Sequence, residues 1–330
     1  MRNLDRKLRA ILDGKYTPDH FILADAKDAD MAWGVAATGP ARKADGTPAA
    51  GRKFRTRPEF LEAMRAIVRQ GEQDVLLASA SNAEVLAREG LFADGPVTLA
   101  IRANDTTDIW RPRGHAYDAE PSRPFRSANL EAARPFCDLG LYSMTFNNRL
   151  SHDLASLDAY ARFRAEAARL GFRHFLEVFN PNAAAGLAEA DVPHFVNDSI
   201  ARALAGVTAA ERPLFLKVAY NGPAALEELA TYDPTLVVGV LGGAAGTTRD
   251  CYELLAQAER HGARVALFGR KINVAESPLD LVALMRPVIR RDVSPEEAVR
   301  AYHGALQKKG IRPARPLDDD LRITESVLRA

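Results

Sequence analysis

LFLKVAYNGPAALEELATYDPTLVVGVLGGAAG, residues 214–246, is the stretch on which the fold turns. Its first seven residues are apolar apart from Lys217 and Tyr220 and run into Asn-Gly-Pro, so they read as a strand that stops at a turn. Pro223 stands where a first helical turn accepts a residue without an N–H, and residues 224–230 continue with helical spacing. A second short apolar run, residues 236–241, then ends in paired glycines. Strand, helix and strand make one unit of the βα kind.

The same unit recurs outward in both directions. Strands are expected at residues 21–25, 74–78, 97–101, 139–145, 175–179, 214–220, 236–241 and 265–268. Helices are expected at 58–69, 82–89, 154–170, 196–204, 224–230 and 248–261, with two more at 279–290 and 295–308. Eight strands with intervening helices favour a closed (β/α)8 TIM barrel of one domain over an open doubly wound sheet. Residues 1–20 read as an amphipathic helical cap for the bottom of the barrel, 21–311 as the barrel and 312–330 as a tail. The acidic run Asp318–Asp320 suggests that the tail is solvated or meets another subunit. Two long loops, 32–57 and 102–135, leave the C-terminal ends of the first and third strands, the face where barrel active sites are built.

Composition narrows the function classes. Lys and Arg number 44 against 43 Asp and Glu, so no general attraction to nucleic acid or to a membrane surface follows, and an anionic ligand needs a local site. The opening residues lack the apolar segment of a signal peptide or membrane span. Two cysteines, Cys137 and Cys251, are too few for a disulfide framework, which points to a reducing cytoplasm. The seven histidines are scattered without metal-ligand spacing, and no cofactor is expected. A small-molecule ligand and a homo-oligomeric chain are the expected partners.

Lys217 carries the chemistry. A lysine held in a barrel lumen is desolvated, which favours the neutral amine, the form that attacks a carbonyl. An ordinary strand-end lysine that snorkels to solvent is the plain alternative. Its place on the sixth of eight strands, with glycine loops after the seventh and eighth, weighs against that. Gly242, Gly243, Gly246 and Gly269 would let backbone amides approach a phosphate, and Arg270 would add a charge-assisted clamp. Trp33 and Trp110, just past strand ends, would stack on a ligand or anchor their loops. Asn104 and Asp105 would line the site or form an Asx turn.

These motifs, in their order from about residue 21 to 298, resemble the class I aldolases of the DeoC/FbaB/LacD group, archaeal fructose-bisphosphate aldolases among them. LKVAYNGP resembles the Schiff-base strand, with Lys217 at the lysine position and Tyr220 and Gly222 in the turn. GGAAG and FGRKIN resemble the paired phosphate-binding segments, and TLAIRAND and LGLYSMTFNN the third and fourth strands. FILADA resembles a first strand ending in an active-site aspartate, here Asp25. The resemblance implies an aldolase-type lyase acting on a keto sugar phosphate or related ketone. Two departures qualify it. FLEVFNPNA lacks the proton-transferring tyrosine of the archaeal enzymes and offers Glu177, as in the tagatose-bisphosphate branch. ADAKDADMAWG replaces a His-Gly element, placing Lys27 near the site as a second amine favouring neutral Lys217, or as an ion-pair partner of Asp25 or Asp28. Fructose bisphosphate therefore does not follow as substrate. A sugar-phosphate isomerase or epimerase, a thiolase- or transaldolase-like activity, and a silent phosphometabolite-binding barrel stay open beside the aldolase.

Overall fold

A computed structural model describes residues 2–243 and 246–329. Eight parallel strands close on themselves: β1 (Ile22–Lys27), β2 (Val75–Ala78), β3 (Thr98–Arg102), β4 (Leu139–Thr145), β5 (Arg173–Phe179), β6 (Leu216–Val218), β7 (Gly239–Leu241) and β8 (Val265–Phe268). Each pairs with its sequence neighbours and β8 returns to β1, so the sheet is a closed (β/α)8 barrel. All eight fall on the expected segments.

Alternation along the strands sorts their apolar side chains into two cores. Ile22, Ala24, Val75, Leu77, Ala100, Leu139, Leu141, Phe175, Phe215, Val237, Val265 and Leu267 fill the lumen. Leu4 and Leu8 of the helix Asn3–Leu12 pack into the same cluster and plug its bottom. Residues of the opposite parity, such as Leu23, Leu76, Leu99, Leu176 and Ala266, face the surrounding helices.

Local chemistry explains where the helices begin. Arg57–Gln70, Thr248–Arg260 and Pro295–Lys308 each start at a capping box, formed by Thr56 with Glu59, Thr247 with Asp250, and Ser294 with Glu297. The helix expected over 279–290 is instead two, Pro278–Ala283 and Met285–Arg290. Pro287 has no N–H to offer the carbonyl of Ala283, so the hydrogen-bond ladder breaks at Leu284.

The tail departs from expectation at one residue. Its acidic run forms the short helix Leu317–Asp320, in which Asp318 and Asp319 are exposed as expected and Asp320 is buried. The Asp320 carboxylate accepts the Thr248 amide at 2.7 Å and lies 3.0 Å from the His303 ring nitrogen, so it meets a helix start and an imidazole instead of solvent. Among the described residues no helix is long and apolar enough to cross a membrane.

Both long loops fold over the C-terminal mouth. The Arg111 amide donates to the Ala32 carbonyl at 2.8 Å and its guanidinium lies over the Trp33 ring, tying one loop to the other. Trp110 stacks on Tyr117 at 5.2 Å and meets the edge of Phe125, which fixes the tip of the second loop.

Candidate active site

Three neighbouring strands place polar groups at one level of the lumen. Ser143 of β4 is in register with Glu177 of β5, and Glu177 with Lys217 of β6. All three share the parity of the lumen residues Leu141, Phe175 and Phe215, so they point inward above the apolar layers. Lys217 Nζ lies 2.5 Å from Glu177 Oε1, with both side chains buried. The second carboxylate oxygen accepts from Ser143 Oγ at 2.7 Å and from Arg102 Nη2 at 3.3 Å.

Arg102, the last residue of β3, is the hub. Its Nη1 reaches Ser143 Oγ at 2.9 Å and its Nε donates to Asp28 Oδ2 at 2.5 Å. Burial works to raise the Asp28 carboxyl, but the charges of Arg102 and Lys217 more than offset it and hold Asp28 below the usual range. Two cations and two carboxylates thus form one buried set, which is how charges survive away from water. Asn104 supports it from behind, accepting from the Ser143 amide at 2.6 Å and donating to the Ser143 carbonyl at 2.8 Å.

A cavity of about 280 Å³ opens above this set, lined by Asp28, Arg102, Glu177 and Lys217 below and by Trp33, Arg111, Gly242, Gly243, Gly269 and Arg270 above. Gly242 and Gly269 are required by close packing. A Cβ on Gly242 would come within 2.6 Å of the Phe268 ring, and one on Gly269 within 2.6 Å of the Ala26 carbonyl. Arg270 donates to the Gly243 carbonyl at 2.6 Å. Gly246 turns away, its carbonyl taken by Lys271 and Arg315. The residues between Gly243 and Gly246, part of the expected phosphate loop, lie outside the described residues.

Three expected site residues lie elsewhere. Asp25 and Lys27 share the parity of Leu23, so they sit on the outer face of β1, under the helices. There Lys27 Nζ binds Asp25 Oδ1 at 2.8 Å, and Lys27 lines a neighbouring cavity with Phe60, Ala37 and Asn273 that shares Trp33, Gly269 and Arg270 with the first. Burial pushes the Asp25 carboxyl up and the Lys27 ammonium down. Tyr220 is likewise outside the lumen, its hydroxyl on Gln257 at 2.8 Å. The expectation that Asp25, Glu177 and Lys217 share one mouth is therefore corrected: Asp28 holds the first-strand position. Sequence reading also passed over Arg102, Ser143 and Arg111. An arginine closing an apolar strand was the available signal, because a buried guanidinium demands carboxylate partners.

Comparison with known proteins adds the fold's relatives. No family profile and no curated sequence matches the chain. Among solved structures it resembles an archaeal fructose 1,6-bisphosphate aldolase, with a TM-score of 0.62 at 14% identity over 87% of this chain and 99% of that one. It also resembles a Schiff-base-forming fructose-1,6-bisphosphate aldolase studied through its reaction intermediates, with a TM-score of 0.62 at 15% identity over 87% and 99% of the two chains. A fructose-bisphosphate aldolase from Slackia heliotrinireducens aligns with a TM-score of 0.64 at 14% identity over 92% and 90%. At these identities the likeness shows the barrel fold, and these three neighbours on that fold are aldolases.

Proposed function

We propose that the chain is a class I aldolase-type lyase that cleaves or forms a carbon–carbon bond in a keto sugar or related hydroxyketone through an imine on Lys217. The observation that carries this reading is the 2.5 Å contact between Lys217 Nζ and Glu177 Oε1 at the floor of an open cavity. A nucleophile and a proton acceptor within hydrogen-bond reach of each other is the arrangement covalent amine catalysis needs.

Transfer of a proton from Nζ to Oε1 leaves a neutral amine that attacks the ketone carbon. The carbinolamine hydroxyl must then take a proton to leave as water, and protonated Glu177 stands beside it. Once the iminium has formed, a base removes the proton from the hydroxyl on the bond-breaking carbon. The carbon–carbon pair flows into the iminium, an aldehyde departs, and the resulting enamine takes back a proton. Glu177 is placed for these transfers, with Asp28 as the second carboxylate facing the cavity. Arg102 and Ser143 keep the Glu177 carboxylate aimed, and Arg111 and Arg270 cover the far end of the substrate. The expected sugar phosphate would meet Arg270 at that end. The same chemistry makes the chain an enzyme of small-molecule metabolism, and we place it in the cytoplasm as a homo-oligomer.

The test is borohydride reduction with a panel of hydroxyketones and their phosphate esters, read by mass spectrometry. A reduced adduct on Lys217 alone is expected, absent in Lys217→Arg because a guanidinium stays protonated and cannot attack. Glu177→Gln should still form the adduct while turnover falls by about 10²–10⁴-fold, the usual contribution of a positioned acid–base group. Turnover of a substrate without any trapped adduct would favour an isomerase on the same barrel.

A further inference from the structure

Lys27 belongs to no step of the proposed chemistry, yet it lines a second cavity at the same mouth. This cavity holds about 210 Å³ and shares Ala26, Ala29, Trp33, Gly269 and Arg270 with the catalytic one. Arg270 is exposed and Lys27 is 2% exposed, so the space runs from the rim into the layer between β1 and its helices. Small side chains at Ala29, Ala36 and Ala37 keep it open, and Phe60 and Val274 add apolar surface. The polar groups on its wall have partners within the chain. Asn273 Oδ1 accepts from Arg55 at 2.5 Å, and its Nδ2 donates to the Ala37 carbonyl at 2.7 Å. The charge of Lys27 is offset by Asp25 at 2.8 Å. Below its rim such a space offers little to a phosphate and suits an apolar group.

The loop that covers it is fixed by its own hydrogen bonds. Arg55 donates to the carbonyls of Thr38 and Asn273 at 2.7 and 2.8 Å, and Thr38 Oγ1 donates to the Arg55 carbonyl at 2.7 Å. Gly39 has a φ of 83°, and a Cβ there would lie 2.8 Å from the Arg55 guanidinium, so the close approach needs glycine. Trp33, on the wall common to both cavities, is held from the other side by the Arg111 guanidinium over its ring. A pocket shaped in advance in this way asks little ordering of the protein when it is filled.

We propose that this second cavity is a substrate subsite, taking an apolar arm of the ketone whose carbonyl meets Lys217. The proposal rests on the imine reading of Lys217 for the identity of the ligand as a ketone. The five shared residues are what join the two cavities into one substrate site. An apolar cavity of about 150 Å³ accommodates benzene, so this one takes a phenyl-sized group or a branched chain of about six carbons. The substrate class narrows from a keto sugar to a hydroxyketone that carries such an arm.

The experiment uses the full chain and two readouts. Borohydride trapping at Lys217 is compared between hydroxyacetone and a series in which its methyl group carries a phenyl ring on a spacer of one, two or three carbons. Ala36→Leu and Ala37→Leu each fill the second cavity from a residue that does not line the catalytic one. Their melting temperatures are compared with wild type, so that a folding defect in one does not stand in for the result. At limiting concentration, wild type should trap at least one phenyl ketone about tenfold faster than hydroxyacetone, from the apolar surface it buries. Both leucine variants should erase that preference and trap hydroxyacetone as wild type does. Equal trapping across the series in wild type, or a phenyl preference that survives both substitutions, overturns the proposal. Calorimetry with benzyl alcohol separates it from the imine reading. If no ketone is trapped but benzyl alcohol binds wild type about tenfold more tightly than either leucine variant, the imine reading falls and the apolar site stands. If no ketone is trapped and benzyl alcohol binds all three proteins alike or not at all, both fall.

Discussion

At the scale of single residues the site is decided by parity. Lys217 was legible because it interrupts an otherwise apolar strand, whereas Glu177 was reached through the resemblance of FLEVFNPNA to the tagatose-bisphosphate branch. Asp28 was not, since the choice among Asp25, Lys27 and Asp28 depends on which way β1 faces, and β1 is buried on both sides. Strands of a parallel barrel lack the polar/apolar alternation that would show their orientation. Arg102 gives the sharpest residue-level prediction. It separates the Asp28 and Glu177 carboxylates, donating to each. In Arg102→Met the two carboxylates face one cavity without that cation, which favours protonation of one of them. The acid limb of the kcat/KM profile should move to higher pH, and Arg102→Lys should bring it part of the way back. Stability should drop by about 3–5 kcal/mol in Arg102→Met, as for other broken buried ion pairs. A fall in stability with the pH profile unmoved would reduce Arg102 to a structural residue.

The strands were all legible from short apolar runs between turn signals, and so were most helices. What escaped was set in one case by a local proline and otherwise by tertiary contacts. The helix split at Leu284 depends on a single proline. The tail's burial depends on partners that sit far away in sequence, Thr248 and His303 for Asp320. The Lys27–Asp25 pair is an element-level device of the same kind, pinning the outer face of β1 under the helix layer. Because Lys27 lies outside the lumen, Lys27→Met should leave the borohydride adduct on Lys217 intact. It should nevertheless cost about 3–5 kcal/mol in chemical denaturation, since it strands the Asp25 carboxylate in the interior. Replacing both members by apolar residues of similar volume should recover much of that loss. Loss of the adduct in a folded Lys27→Met protein would return this lysine to the catalytic machinery.

On the scale of the whole molecule the barrel divides along its axis: an apolar floor lies below, and the polar mouth holds the residues of the proposed chemistry. The plug that closes the floor supplies a test of that division. Leu4 is fully buried and Leu8 nearly so, both among lumen residues such as Phe175, Phe215 and Val237. Lys7 on the same helix fastens it, donating to the Phe21 carbonyl and to Asp74, each at 2.8 Å. Leu4→Ala removes side-chain volume that the closed ring of strands cannot collapse to fill, so a cost of about 2–5 kcal/mol is expected. Leu8→Ala should cost a comparable amount. The two sit in one cluster, so their effects should not simply add. Urea denaturation with an unchanged slope would locate the loss in the native state. Between this floor and Lys217 stand the lumen residues themselves, among them Leu141, Phe175 and Phe215. Well below the denaturation midpoint, the rate of adduct formation at Lys217 should therefore match wild type within about twofold, a difference of under 1 kcal/mol. A Leu4→Ala protein of undiminished stability would show that the helix only covers the barrel; a folded one with a crippled Lys217 would show that floor and mouth are coupled through the lumen.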